Sequence, residues 1–313
     1  MTDFIDARQS LVNAKDRHLV SKELVGANVY HKEGQDAICE SGDKVNLTST
    51  GKWYSPWEKA FQVPDVLKVS DGTEKEWKAV VDGALDQVQQ LCNEENGWVK
   101  SSANIDTNPD LAVKGTQMFR LKMDVKVDPQ ILLCSFLHMG SLGACDSSVL
   151  YAREHYSYRG DQTSLIHIVK SYGPSIVANR DLVYIQSWME EPDGTIVLAC
   201  KSVDNIIPSK AVPGCVRAHT ELFGLQIRPK TIEVTSFLGK KSTIQGCSVV
   251  MVDQTHFHGM VPNMVVNKFT PKTLSGFLTK VESASVGWVS NGVITPLIDK
   301  YVLHKESQAE EEN

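Results

Sequence analysis

The chain has 313 residues, of which 42% are hydrophobic and 22% charged, a balance that excludes a largely disordered protein and is typical of a water-soluble globule. A formal net charge of −6 speaks against a nucleic-acid-binding protein, which usually needs a basic face. No apolar run is long enough to cross a membrane, and the N-terminus has no apolar segment typical of a secretory signal. The seven cysteines are scattered and form no CxxC pair. We therefore expect a cytoplasmic protein with reduced thiols.

The first 73 residues differ in composition from the rest. They mix charged and small residues, and polar triplets such as Ser41–Asp43 and Ser49–Gly51 are typical of loops. We predict an N-terminal extension over residues 1–73 that is partly disordered or packs on the main domain through Trp53, Trp57 and Phe61.

An amphipathic helix is predicted to follow. Thr73-Glu74-Lys75-Glu76 fits a capping box, in which a hydroxyl and a carboxylate satisfy backbone donors of the first turn. Apolar residues then recur at helical spacing: Trp77, Val80, Val81, Ala84, Leu85, Val88 and Leu91. Asn96-Gly97 is expected to end the helix.

A strand and a short helix are predicted next. Residues 119–127 alternate apolar and polar side chains, which predicts a strand with one buried and one wet face. Asp128-Pro129 then supplies an N-cap and a first-turn proline for a helix over 130–138.

From Ser164 onward the pattern favours strands separated by turns such as Pro192-Asp193-Gly194. The predicted strands are Leu165–Lys170, Leu182–Trp188, Thr195–Ser202, Val216–Glu221, Leu225–Arg228, Ile232–Phe237 and Cys247–Asp253. Short consecutive strands with tight turns predict a meandering antiparallel sheet, and they argue against a Rossmann or barrel fold.

A final helix completes the pattern. Pro262 fits its first turn, and Pro271 is expected to kink it. Its apolar face comprises Met264, Val265, Phe269, Leu274, Phe277, Leu278 and Val281. The whole order predicts an α+β fold in which a curved antiparallel sheet grips a long C-terminal helix and leaves a cavity between them.

No pattern for catalysis or metal binding rises above background. His256 and His258 would supply only half of a metal site, and no third ligand follows from the spacing. Cys145 with His155 would resemble a nucleophile and base, but such pairs occur in most chains. We therefore predict no catalytic residue, no metal and no cofactor.

The segment Asn179-Arg180-Asp181-Leu182-Val183-Tyr184-Ile185 resembles the START family of lipid-transfer domains. Further similarities follow in register: Trp188, Ser202-Val203-Asp204, Gly214-Cys215-Val216-Arg217-Ala218 and residues 261–268, Val-Pro-Asn-Met-Val-Val-Asn-Lys. The resemblance spans Glu74 to about Ala284. It implies a helix-grip domain over residues 74–284 that encloses a lipid, followed by a C-terminal tail over 285–313.

The resemblance also implies a set of site residues. The expected ligand contacts are Ile168, Asn179, Tyr184, Gln186, Trp188, Met264, Val265 and Phe269. The loop 173–179 is similar to the family's gate, and its Ile176 and Val177 are expected either to dip into a membrane interface or to pack on the last helix.

Two positions depart from members that keep a carboxylate and an arginine in the cavity. Those positions correspond to Ile168 and Gln186, so the headgroup preference of these members does not transfer. Losing both charges together is physically coherent, since a buried charge without its partner is costly. Arg180 and Arg217 are expected to serve the structure, because buried guanidinium groups need fixed partners.

The resulting functional hypothesis is a non-catalytic carrier that binds one lipid, with phospholipid preferred over sterol or sphingolipid, and touches membranes transiently. One alternative is a lipid-sensing regulatory module that engages a protein partner through residues 1–73. Another is an enzyme, since related helix-grip proteins include cyclases and hydrolases.

Overall fold

The computed structural model describes residues 37–38, 44–45, 52–54, 73–95, 97–100, 110–114, 118–138, 145–146, 148–158, 162–171, 177–203, 211–235, 241–259, 261 and 275–285. Its helices are α1 (Thr73–Asn93), α2 (Pro129–Leu137) and α3 (275–285). Its strands are β1 (Ala37–Ile38), β2 (Lys44–Val45), β3 (Lys52–Tyr54), β4 (Val99–Lys100), β5 (Asp110–Lys114), β6 (Met118–Val125), β7 (Val149–Tyr158), β8 (Thr163–Lys170), β9 (Asn179–Glu190), β10 (Ile196–Ser202), β11 (Cys215–Arg217), β12 (His219–Thr235) and β13 (Lys241–His256).

The main sheet is antiparallel, as the succession of strands and turns predicted. Its strand order is β3-β7-β8-β9-β10-β12-β13-β6-β5-β4, and β11 adds to β9 in parallel. β3, from the N-terminal extension, pairs with β7, so Lys52–Tyr54 joins the sheet of the main domain. Trp57 and Phe61, which were predicted to pack on that domain, lie outside the described residues.

The region 215–235 differs from the prediction of three short strands. Cys215–Arg217 forms β11, and His219–Thr235 continues as one long strand with a register shift between Thr220 and Leu222. Pro229 does not break it, because β10 pairs with β12 only as far as Ile227, and beyond that point no described strand pairs with this side of β12.

Helix α1 covers one side of the sheet, which we call the outer face. Its buried residues Trp77, Leu85 and Val88 belong to a cluster with Val183 and Val197 of the sheet. A Cβ atom at position 224 would collide with Val88 and lie 2.7 Å from the carbonyl oxygen of Leu198. The glycine at this position therefore lets the helix approach the sheet closely.

The sequence analysis predicted that the polar side chains of residues 119–127 face water. This prediction is wrong at Arg120, whose side chain is 7% exposed. Its guanidinium group lies 4.4 Å from the centre of the Trp98 ring and donates to the carbonyl of Glu94 at the end of α1. The polar side of β6 is covered at this point because the segment after α1 folds over it, which alternation within one strand does not reveal.

The opposite side of the sheet, the inner face, packs on α2 and α3. The predicted cap of α2 is confirmed, since the Asp128 carboxylate accepts a hydrogen bond of 2.9 Å from the Gln130 amide. Phe277, Leu278 and Val281 of α3 are buried against this face, and the rings of Phe136 and Phe277 lie 4.6 Å apart. A curved antiparallel sheet that holds a C-terminal helix is the helix-grip fold, as predicted.

Candidate functional site

The inner face is divided into two regions of different polarity. One row across five neighbouring strands, the apolar end, consists of Trp188, Leu198, Leu225, Met251 and Leu121. We call the row beside it, together with the residues beyond that row, the polar end. This row consists of Ser164, Gln186, Cys200, Phe223, Asp253 and Phe119. Because side chains alternate along each strand, both rows point to the side of α3.

Two side chains of the polar end keep exposed surface although they lie on central strands. Tyr184 and Phe223 are half-buried, whereas their neighbours at the apolar end are fully buried. Both side chains pack against the apolar cluster of the inner face and keep part of their surface exposed.

Asp253 is the most unusual group on the inner face. Its side chain is 7% exposed, and its Oδ1 atom accepts a hydrogen bond of 2.7 Å from the Thr255 hydroxyl. Burial raises the pKa of this carboxyl to about 6, because the charged form loses its hydration. Asp253 is therefore a carboxyl whose charged form is disfavoured by its surroundings.

A buried ion pair lies near the same end. Lys170 follows Ile168 on the inner side of β8, and its Nζ atom lies 2.8 Å from Oδ2 of Asp146. Burial by itself would raise the pKa of Asp146, but the Lys170 ammonium group and two donors from Ser148 hold that pKa below its usual value. Asp146 is thus a partnered carboxylate, in contrast to Asp253.

Arg180 fixes the chain segment that leaves β13. Its Nε atom donates to the carbonyl of Phe257 at 2.7 Å, its Nη2 atom donates to the carbonyl of His258 at 2.9 Å, and Nη1 donates to Ala178. These bonds tie the start of β9 to the segment that leads to the C-terminal helix. They agree with the structural role predicted for Arg180.

Asp181, beside it, forms a second set of fixed contacts. Its Oδ2 atom accepts hydrogen bonds of 2.9 Å from both Arg217 and the Val212 amide, and its Oδ1 atom lies 2.5 Å from Nε2 of His167. Burial opposes ionisation, yet His167 and Arg217 together lower the pKa of Asp181. We call Arg180, Asp181, Arg217 and His167 the clamp.

The structure brings together part of the site predicted from sequence. Ile168, Tyr184, Gln186 and Trp188 share the inner face on neighbouring strands β8 and β9. Asn179 begins β9 and pairs with Cys215 of β11. Val177 is half-buried, and the remaining predicted contacts lie outside the described residues: Ile176, Met264, Val265 and Phe269.

Sequence reasoning missed three polar groups of the inner face, Asp253, Lys170 and Asp146. Asp253 and Lys170 each ended a predicted strand, where a charged residue is commonly solvated. The sequence did contain a signal for two of them. Asp253 follows Met251, and Lys170 follows Ile168, by two residues, and residues two apart on a strand lie on the same face.

The alternative chemistry considered for Cys145 finds no support in its surroundings. Burial raises the pKa of the Cys145 thiol to about 12, so the nucleophilic thiolate is scarce at neutral pH. Within the described ranges no three His, Cys, Asp or Glu side chains are grouped to hold a metal ion. Of the helices in those ranges, none has the length and hydropathy of a membrane span.

Comparisons with known proteins point to one family. The model of the START domain matches residues 80–285, which is more than half of the chain. Among solved structures, human StAR-related lipid transfer protein 5 superimposes with a TM-score of 0.57 at 15% identity, covering 69% of this chain and 99% of that one. Human STARD10 gives a TM-score of 0.51 at 17% identity, covering 77% and 88%. A search among curated proteins finds no match.

Proposed function

Since the chain belongs to the START domain family, we propose that it binds one lipid between the inner face and the C-terminal helix and carries it between membranes. The family membership supports lipid binding and transfer as the general activity. The two similar structures share the fold of this chain, and at 15% and 17% identity they do not indicate its ligand.

The observation that carries the proposal is the division of the inner face. Trp188, Leu198 and Leu225 form a buried apolar layer beside α3, whereas Gln186 and Asp253 lie one row away. A lipid has the same division, with hydrocarbon at one end and a polar group at the other. Removing hydrocarbon from water stabilises the complex by roughly 25 cal/mol per Å² of apolar surface.

Carriage requires no covalent step. A lipid that leaves a bilayer moves from one apolar environment to another, so exchange between membrane and protein is close to balanced. We propose that the segment around Ile176 and Val177 opens at a cytoplasmic membrane surface to admit the lipid. Among lipid classes we favour phospholipid, because the polar end carries several charged and hydrogen-bonding groups.

Photo-crosslinking tests where the lipid lies. A benzophenone side chain at Tyr184 should capture lipid from vesicles, because Tyr184 lies on the inner face and keeps part of its surface exposed. The same group at Asp86, exposed on α1, is the matched control and should capture little. Equal labelling at both positions would contradict binding on the inner face.

A further inference from the structure

Strand β3 is an addition to the START domain. Lys52–Tyr54 lies outside residues 80–285, which match the family model, yet it forms the first strand of the main sheet. It pairs antiparallel with β7, on the side of β7 that faces away from β8. We call this side the β7 edge. The match to the family does not account for the strand that covers this edge.

The cover that β3 provides is short. It pairs with β7 at Tyr151, Ala152 and Arg153, whereas β8 follows β7 from Val149 to Tyr158. Beyond Arg153, no strand in the described ranges pairs with the β7 edge. Each backbone hydrogen bond of so short a strand contributes little net stability, because water competes for both partners. A sheet edge of this kind is a template on which an extended chain can add as a further strand.

The charges along this edge do not favour the strand that covers it. In the register of the sheet, Lys52 stands directly opposite Arg153. Like charges in directly opposed positions destabilise the pairing of two strands, whereas opposite charges stabilise it. Arg153 is half-buried, and on its other side it is paired with His167 of β8, so no acidic residue is its direct cross-strand neighbour. A segment with a carboxylate in the place of Lys52 would therefore pair better with β7.

We propose that the β7 edge is a docking site for an extended segment of a partner protein that carries an acidic residue opposite Arg153. In the free chain Lys52–Tyr54 occupies this site, and the partner's segment displaces it. Displacement is favoured because the resident strand is short and its charge is repelled. The inference is independent of the proposed lipid carriage, since it uses an edge of the sheet and none of the predicted ligand contacts.

Hydrogen–deuterium exchange of the full chain tests the resident pairing. Trp53→Pro combined with Tyr54→Pro should speed exchange in β7. Successive N–H groups of a strand point to opposite sides, so one of the two prolines must remove a donor that faces β7. The matched control, Trp53→Ala combined with Tyr54→Ala, keeps both donors and should exchange as wild type does. Lys52→Glu should slow exchange in β7 by about threefold or more, with Lys52→Gln between it and wild type.

A fluorescent peptide tests docking from another molecule. The peptide has the sequence of residues 48–58 with Lys52→Glu, and its anisotropy measures binding to the full chain. It should bind the double-proline variant about tenfold or more tightly than wild type, in which the site is occupied most of the time. The unchanged peptide should bind that variant about threefold less tightly than the Lys52→Glu peptide. Arg153→Glu, added to the double-proline variant, should reverse this order.

Thermal unfolding checks that each variant is folded, and Lys52→Glu and Lys52→Gln keep the charge argument testable if Arg153→Glu does not fold. Equal exchange in the double-proline and double-alanine variants would overturn the proposal, because β3 would then not cover the edge. A peptide that binds neither protein, or binds wild type and the double-proline variant equally, would overturn docking at the edge. An order of the two peptides that survives Arg153→Glu would overturn the acidic preference.

Discussion

Two buried aspartates of the same sheet, Asp181 in the clamp and Asp253 at the polar end, are surrounded by different groups. Asp181 is contacted by Arg217, His167 and the Val212 amide, and its pKa is lowered. Asp253 has the Thr255 hydroxyl as its donor, and burial raises its pKa to about 6.

The difference teaches how this fold uses buried charge. At the clamp every oxygen of the carboxylate is committed to holding strands and loops in place, so the charge stabilises the native structure. At the polar end burial of the Asp253 carboxyl outweighs the Thr255 hydrogen bond and the Lys170 charge, which both lower its pKa, so ionisation destabilises the ligand-free protein. The predictions below follow this contrast, beginning with the largest expected effect.

Asp181→Ala should be the most damaging substitution. It leaves the half-buried Arg217 and the buried His167 without their acceptor, and we expect a loss of about 3–5 kcal/mol in the free energy of unfolding. Urea denaturation followed by circular dichroism measures this loss. Asp124→Ala removes an exposed pair with Lys230 and should cost less than about 1 kcal/mol. A similar loss in both variants would mean that the clamp does not depend on buried charge.

Asp253→Asn should increase the free energy of unfolding, in contrast to Asp181→Ala, and the size of the increase should depend on pH. The folded pKa of about 6 lies above the unfolded value near 3.9, so ionisation penalises the ligand-free native state. That penalty is absent below about pH 4, grows up to about pH 6 and then stays constant. Asparagine cannot ionise, so the variant should be more stable than wild type by roughly 3 kcal/mol at pH 8.

Urea denaturation of the ligand-free full chain at pH 8 and pH 4 checks this prediction. The stabilisation should disappear at pH 4, where wild type is itself protonated at Asp253. A variant that is less stable than wild type at pH 8 would show that Asp253 is a partnered carboxylate like Asp181.

Lys170→Met should produce an intermediate loss. The variant removes the ammonium group from Asp146 but leaves the donors of Ser148, so we expect a cost of about 2 kcal/mol at neutral pH. Because the pair lowers the pKa of Asp146, its stabilisation is present above the unfolded pKa near 3.9 and is lost as the pH falls through the folded value. The difference from wild type should therefore shrink in acid, and a pH-independent difference would assign the loss to packing.

Gln186→Leu should affect stability least. Gln186 faces the inner side, where its Oε1 atom accepts a weak bond of 3.7 Å from the Cys200 thiol. Replacement by an apolar side chain of similar size should change the free energy of unfolding by less than about 1 kcal/mol. Thermal unfolding measures the effect. A loss of several kcal/mol would show that Gln186 is part of the structural core and not of the proposed ligand space.

Much of this contrast could not be predicted from sequence. The segment around Arg180 identified the family, and the periodicity of residues 77–91 identified α1, because both signals are local. The surroundings of Asp253 depend on register, which places Phe223 and Phe119 beside it from strands distant in sequence. Alternation within one strand predicts which side chains share a face of the sheet, but it does not show what covers that face. For the same reason the prediction for Arg120 was wrong.

The long strand β12 illustrates a second limit. The sequence analysis predicted separate strands over Leu225–Arg228 and Ile232–Phe237, with Pro229 between them, whereas proline only removes one donor from a ladder. The proline is tolerated because β10 ends its pairing at Ile227, a fact that belongs to the neighbouring strand. Short-range patterns therefore predicted which elements exist, whereas their lengths depended on contacts across the sheet.

Native mass spectrometry of the full chain purified from cells that produce it tests the central claim most directly. The account predicts a complex of one protein with one lipid, which on dissociation yields an unchanged phospholipid. A chain that arrives without lipid, and that takes up none from vesicles offering phosphatidylcholine, ceramide and cholesterol, would contradict the account.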